Sequence, residues 1–143
     1  TLYHALPNDL QSVIATTKVI SGHGGTTGET NFETQDKLYL LSMEEIYEDA
    51  ASSNHATWDP SIIWDTSVGT SKQLDYYKNQ GVTKDNYSSA KKQYDGKYEG
   101  AAWWFRSMDG SNTENIIVIY YSGDWDCFPA GGVHGISPAF RIA

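Results

Sequence analysis

Histidine and cysteine are the residue types in this sequence whose spacing could indicate catalysis or metal binding. The histidines are His4, His23, His55 and His134. No two of them are spaced as metal ligands, and Cys127 has no neighbouring base to activate it as a nucleophile. As the single cysteine, Cys127 also excludes an internal disulfide and a cysteine-based zinc site. The sequence therefore predicts no catalytic residue, no metal site and no cofactor.

A pair of acids near the C-terminus is the next candidate for chemistry. Asp124 and Asp126 flank Trp125. Paired carboxylates can hold calcium or act in glycoside hydrolysis, although two carboxylates in one loop are more often simply solvated. We therefore predict solvated acids and keep calcium as the lesser alternative.

The residues around this acid pair have the composition of a binding surface. Aromatic side chains supply contact area at low entropic cost, and small polar residues adapt to a partner. Because no catalytic pair accompanies them, they favour binding over reaction. The predicted ligand-binding residues are Asn112, Tyr120, Tyr121, Ser122, Asp124, Trp125, Asp126, Cys127, Phe128, Pro129 and His134.

The length and charge of the chain limit the kinds of partner that such a surface can have. A chain of 143 residues suits one domain, and its 39% hydrophobic and 13% aromatic content argues against disorder. The formal net charge of -8 argues against nucleic acid and against an anionic membrane surface as partners. No apolar run reaches membrane-spanning length, so no direct membrane insertion is expected.

Helical patterns come first along the chain and strand patterns cluster late, which indicates an α+β fold. Helices are predicted at 7–16, from a capping box at Ser42 and Glu45 to about 51, at 72–79 between a Ser71 cap and a Gly81 stop, and as a turn near 87–94. Strands are predicted at 18–20, 36–41, 101–107, 115–121 and 136–142. Loops or turns are predicted at 21–31, 109–112 and 122–135.

Two neighbouring tryptophans lie on the predicted strand at 101–107. Successive side chains on a strand point to opposite faces, so Trp103 and Trp104 point apart. We predict that both rings belong to the core. Pro138 cannot donate to a strand ladder, which places the last strand at a sheet edge or starts its pairing after Pro138.

Four motifs in a fixed order resemble a bacterial domain common in gut Firmicutes. They are the segments 36–46 (DKLYLLSMEEI), 72–82 (KQLDYYKNQGV), 103–107 (WWFRS) and 135–142 (GISPAFRI). The resemblance spans essentially the whole chain, and the family it points to is similar to the formylglycine-generating-enzyme branch of the C-type lectin fold. It implies a C-type-lectin-like fold, with short helices packed around a small, mainly antiparallel sheet.

The segment 120–135 (YYSGDWDCFPAGGVHG) resembles the variable region of the variable proteins of diversity-generating retroelements. In those proteins Asn codons of a template are randomised, and Gly123, Trp125, Ala130 and Gly135 fall on positions that a similar template would keep fixed. Randomising the first two bases of an Asn codon cannot produce Trp, Met, Glu, Gln or Lys, and none of these occupies the remaining positions. An ordinary glycine-rich hairpin loop remains the alternative.

Together these resemblances imply a single domain over 1–143, cut from a longer protein, with a variable region at about 103–143. The implied function is non-enzymatic ligand binding or adhesion, outside the cell, at the cell surface or on a phage particle. A protein or cell-surface ligand is expected first and a carbohydrate second. The alternatives are a structural module of a surface or phage-tail protein, and a formylglycine-generating-type oxidase. The oxidase would need a copper-holding pair of cysteines where this chain has only Cys127.

Overall fold

The computed structural model describes residues 1–22, 24, 28, 30–48, 73–92, 101–109 and 113–143. The helices are α1 (Asn8–Val13) and α2 (Asp75–Asn79), with 3₁₀ turns at Tyr3–Ala5, Met43–Glu45 and Ser88–Ala90. The strands are β1 (Ile14–Ala15), β2 (Thr17–Ser21), β3 (Phe32–Asp36), β4 (Tyr39–Leu40), β5 (Trp103–Met108), β6 (Asn115–Ile119), β7 (Trp125–Pro129), β8 (Pro138–Ala139) and β9 (Arg141–Ile142).

The largest sheet in the described residues has three antiparallel strands in the order β5-β6-β7. Antiparallel pairs also join β2 to β3, β4 to β8 and β1 to β9, so the last strands of the chain return to its first third. Helices and antiparallel sheets of this kind confirm the predicted α+β class.

One face of the three-stranded sheet covers the core. Trp103, Ile119 and Trp125 lie side by side across β5, β6 and β7, and all three are buried. Their rings and side chains pack against the chain segments that precede the sheet. The buried cluster contains Leu41, Met43, Ile46, Tyr47, Tyr77, Val82, Ala90, Trp103, Phe105, Ile117, Ile119 and Trp125.

A buried ion pair joins the sheet to the N-terminal half. Arg106 Nη1 lies 2.5 Å from Glu45 Oε2, and both side chains are almost fully buried. The same guanidinium donates to the carbonyl oxygens of Ile20 at 3.1 Å and Leu40 at 2.8 Å. Because a buried charge without partners is costly, these bonds hold β2, β4 and β5 in a fixed relation.

The predicted capping box at Ser42 and the predicted helix stop at Gly81 are both confirmed by their hydrogen bonds. The capping box is present at Ser42, whose backbone N–H donates to Glu45 Oε2 at 2.7 Å. After α2, Gly81 takes a positive φ of 63°, and its N–H donates to Lys78 O while that of Val82 donates to Tyr77 O. Those two bonds form the Schellman motif, which explains why the helix stops at this glycine.

Several predicted boundaries are wrong. The first helix ends at Val13, and the helix predicted to follow Ser42 is a single 3₁₀ turn, without helix at 46–48. The strand predicted at 36–41 is mostly earlier, at Phe32–Asp36, with only Tyr39–Leu40 extended after it. These shifts occur because cross-strand partners, β2 for β3 and β8 for β4, set where pairing occurs.

The largest correction concerns the predicted loop at 122–135, because it contains strand β7. All five residues of Trp125–Pro129 pair in register with β6. The strand predicted at 136–142 is divided into β8 and β9, with Pro138 as the first residue of β8, a position that a proline tolerates.

Some predictions fall outside the described residues. They include the helix start at Ser71 and 72, the turn at 110–112 with Asn112, and parts of the loop at 21–31. Among the described residues, no helix has the length and apolar character needed to cross a membrane.

Candidate ligand-binding surface

Alternation along β7 divides the candidate site between the two faces of the sheet. Trp125 is 9% exposed within the core, and Cys127 packs against the same cluster. Asp126 and Phe128 point to the opposite face, where Asp126 lies across from Val118 of β6. The side chains of Trp125 and Cys127 therefore face the core, away from the outward face that carries Asp126 and Phe128, and their predicted contact with a ligand stays a prediction.

Five aromatic side chains come together on the outward face of the three-stranded sheet. This outer aromatic cluster consists of Trp104, Tyr120, Tyr121, Phe128 and His134. The His134 ring lies between Trp104 and Phe128, with centroids 4.6 Å and 4.8 Å away and both contacts edge-on. Tyr120 is stacked with Phe128 at 6.2 Å and contacts Tyr121 at 4.0 Å. The rings are half-buried or exposed, so they form one accessible apolar surface.

Val118 shows how closely this cluster is packed. Its side chain is 0% exposed although it lies on the outward face and is not part of the inner core. Tyr120, which directly follows β6, lies two residues from Val118, and Phe128 lies two residues from Asp126, the partner of Val118 on β7, so both share its outward face. The stacked rings of Tyr120 and Phe128 thus lie on the same face as Val118, whose complete burial indicates close packing there.

The turn between β6 and β7 is fixed to the core through Gly123. The Tyr120 N–H donates to Asp124 O at 2.6 Å, and the Gly123 N–H donates to Tyr120 O at 2.9 Å. The buried Tyr47 hydroxyl donates to Gly123 O at 2.5 Å. A Cβ at Gly123, where φ is +96°, would overlap the carbonyl oxygen of Tyr87. Only glycine suits this position.

Three of the four positions matched to a fixed template, Gly123, Trp125 and Gly135, have structural roles. Gly123 and Trp125 are buried, and Gly135 bonds through its backbone to Ala102 and Trp104. Ala130 is exposed, and nothing in the structure explains an alanine there. By contrast, each remaining position from Tyr120 to His134 is half-buried or exposed, up to 97% for Val133.

Two carboxylates, those of Asp124 and Asp126, belong to this surface. Asp126 is exposed, and its Oδ1 accepts from the Cys127 N–H at 2.7 Å. Asp124 Oδ1 accepts from the Trp125 N–H at 2.8 Å. Partial removal from water, together with Tyr121 and Asp126, raises the pKa of the Tyr120 hydroxyl above its ordinary value. Within the described residues, no group of three or more His, Cys, Asp or Glu side chains could hold a metal ion.

Cys127 is not placed as a nucleophile. Burial, followed by the Asp109 carboxylate, raises the pKa of the thiol well above its ordinary value. The thiol is therefore protonated at neutral pH, where only a thiolate would attack a substrate or bind a metal well.

The predicted site residues thus separate into groups. The structure brings Tyr120, Tyr121, Phe128 and His134 into contact, with Asp126 beside Tyr120. Ser122 and Asp124 lie in the turn, Pro129 is exposed at the end of β7, and Asn112 lies outside the described residues.

Sequence reasoning missed Trp104, which was expected in the core. It is half-buried on the outward face, opposite Val118 and against His134. The signal was available: once Trp103 occupies the core, strand alternation turns the next ring outward.

The fold and the surface define a small α+β domain with an aromatic, acidic face on its three-stranded sheet. The chain belongs to the family described as Domain of unknown function (DUF6273), which it matches over residues 1–143. No curated protein and no solved structure matches the chain.

Proposed function

We propose that this chain is a non-enzymatic ligand-binding domain of C-type-lectin-like fold. Its binding surface is the outer aromatic cluster together with the β6–β7 turn, and a diversity-generating retroelement varies that surface. One observation carries the proposal. Within 120–135, the positions that a template would vary are exposed or half-buried, whereas Gly123 and Trp125, two of the four that it would keep, are buried; the other two, Ala130 and Gly135, are exposed.

The physical requirement for such a surface is that it can change without unfolding the domain. The inner residues of β5, β6 and β7 pack into the core, and the Tyr47 hydroxyl holds the turn at Gly123, close to the Tyr87 carbonyl. A side chain that points outward from this framework lies outside the core cluster, so its replacement should cost less stability than a replacement in the core.

A protein or cell-surface ligand suits this surface best, with a carbohydrate second. Tyrosine and tryptophan anchors at interfaces each contribute on the order of 1–2 kcal/mol, so several adjacent rings are needed for useful affinity. The outer aromatic cluster supplies several in contact with one another. Binding of such a ligand places the domain outside the cell, at a cell surface or on a phage particle.

The diversification is tested in the genome that encodes the chain. We expect a near-copy of the final coding segment close to the gene, with Asn codons at the accessible positions and a reverse transcriptase beside it. The codons for Gly123, Trp125, Ala130 and Gly135 should be unchanged in that copy. A genome without such a copy would refute the diversification and leave binding to be decided separately.

Binding itself is tested by adhesion of the purified domain to surfaces of host or neighbouring cells. Replacing Tyr121 and Phe128 together by Ser should abolish adhesion, because it removes two accessible rings. Phe32→Ser is the matched control, since Phe32 is 55% exposed on β3, outside the cluster. Equal adhesion of all three proteins would favour a structural module without a ligand of its own.

A further inference from the structure

The outer aromatic cluster carries negative charge next to accessible rings. Asp126 lies on the same outward face as Phe128, and it acts on the Tyr120 hydroxyl electrostatically. Neither Asp126 nor Asp124 forms an ion pair with any residue that the structure describes. The side chain of Lys91 lies beside Gly123 at the turn. The whole chain has a formal net charge of -8, which adds to the negative potential.

The aromatic rings favour the same kind of partner as the carboxylates. The face of an aromatic ring is its negative pole, and it attracts a guanidinium or ammonium group placed over it. Tyr120 and Phe128 are nearly parallel, with an angle of 11° between their planes, and Tyr121 is 56% exposed beside them. A cation at this surface therefore interacts favourably with the rings and with Asp126 at once, whereas an anionic group would be repelled.

We propose that the outer aromatic cluster binds an arginine or lysine side chain on the surface of a protein partner, with Asp126 as its counter-ion. The inference rests on the proposed binding function and deepens it by naming the chemistry of the partner. Arginine fits better than lysine, because its planar guanidinium stacks on a ring while its N–H groups reach a carboxylate. A neutral sugar would gain the ring contact but no Coulomb attraction.

The test uses the full chain and short peptides as probes. An acetylated, amidated peptide of alternating glycine and arginine is titrated into the isotopically labelled protein, and amide resonances are followed by NMR. We expect shifts confined to β6, the turn and β7, weaker binding of the corresponding lysine peptide, and none of a glycine–serine peptide. Added salt should weaken the binding, since both groups are exposed to solvent.

Two variants identify the counter-ion and the rings. Asp126→Asn should weaken binding of the arginine peptide about two- to fivefold, and Phe128→Leu should weaken it by a similar factor. Asp9→Asn removes an exposed acid from α1 and should leave binding unchanged. Since Asp126→Asn alters an exposed side chain, it is expected to fold even if Phe128→Leu does not.

Other outcomes overturn the inference. Shifts of the same resonances by a neutral oligosaccharide such as maltohexaose, with none by the arginine peptide, would assign the surface to carbohydrate. If the Asp126→Asn and Asp9→Asn variants bind the arginine peptide equally well, Asp126 is excluded as the counter-ion. Loss of adhesion in the Tyr121 and Phe128 double variant, together with no arginine binding, would leave the proposed function standing and reject only the cationic partner.

Discussion

At Gly123 the backbone has a φ of +96°, and the carbonyl of Tyr87 occupies the space that a side chain would need. Gly123→Ala should therefore destabilise the domain through two separate effects. The backbone conformation alone costs a non-glycine residue about 1–3 kcal/mol, and the steric overlap adds to that. Urea denaturation of the variant and the original chain measures the difference in the free energy of unfolding.

Two other glycines separate these effects. Gly28 has a φ of +87°, and no atom lies within 4 Å of the point that a Cβ would occupy, so Gly28→Ala should show the backbone cost without the overlap. Gly131 has neither a positive φ nor a close neighbour, and Gly131→Ala should change stability by less than about 0.5 kcal/mol. If Gly123→Ala and Gly28→Ala lower the free energy of unfolding equally, the Tyr87 carbonyl does not prevent a side chain at position 123.

The buried pair of Arg106 and Glu45 gives a second prediction for a single residue. Arg106→Met removes one partner and leaves the Glu45 carboxylate buried without its counter-ion. Breaking such a pair typically costs about 3–5 kcal/mol, which denaturant unfolding can measure.

The exposed ion pair between Lys18 and Glu33 is the control for this loss. Their side chains are 51% and 56% exposed, so Lys18→Met should cost no more than about 1 kcal/mol. If Lys18→Met and Arg106→Met lower the free energy of unfolding by similar amounts, burial does not determine how much an ion pair contributes to stability.

Among the elements, β5 and β6 were predictable and β7 was not. The runs WWFRS and NIIVI consist largely of aromatic and β-branched residues, which favour strands by themselves. The residues of β7 include Asp126 and Pro129 and follow a glycine-rich turn, so their local preferences indicate a loop. Pairing with β6 makes this segment a strand. As a result, the sequence indicated which segment holds the candidate surface. It could not show that the side chains of Trp125 and Cys127 within that segment face the core.

The alternation of β7 leads to a prediction about neighbouring positions. Trp125→Ala should destabilise the domain by about 3–5 kcal/mol, because it opens a cavity beside Trp103 and Ile119. Asp126→Ala, one residue further on the outward face, should change stability by less than about 0.5 kcal/mol. Thermal unfolding followed by circular dichroism distinguishes the two, and comparable losses would contradict the assignment of faces.

On the scale of the whole molecule, the pairings that join distant parts of the chain could not be predicted. The α+β class followed from the order of patterns, but nothing local indicates that Ile14 pairs with Ile142 or Tyr39 with Ala139. These ladders are two residues long, and only the packed structure brings their partners together. The outer aromatic cluster depends on the same long-range order, because His134 contacts Trp104 from a separate segment.

Because the core contains tyrosines, the stability of the whole domain should fall in alkaline solution. Burial, with Asp124 as the next contribution, raises the pKa of Tyr47, and burial with Tyr76 raises that of Tyr77 to about 12. An unfolded tyrosine has a pKa near 10, so above about pH 10 the unfolded chain releases protons that the folded domain retains. Ionisation then favours unfolding: the stabilisation is complete below about pH 10 and is lost as the pH rises through the folded-state values. Cys127, whose pKa is also raised, adds a loss of stability that begins near the lower pKa of an unfolded thiol.

Urea midpoints measured from about pH 7 to pH 11 should decrease steadily above pH 9, and Tyr77→Phe should reduce that dependence on pH. Midpoints that stay constant over this range would mean that these hydroxyls reach solvent in the folded domain.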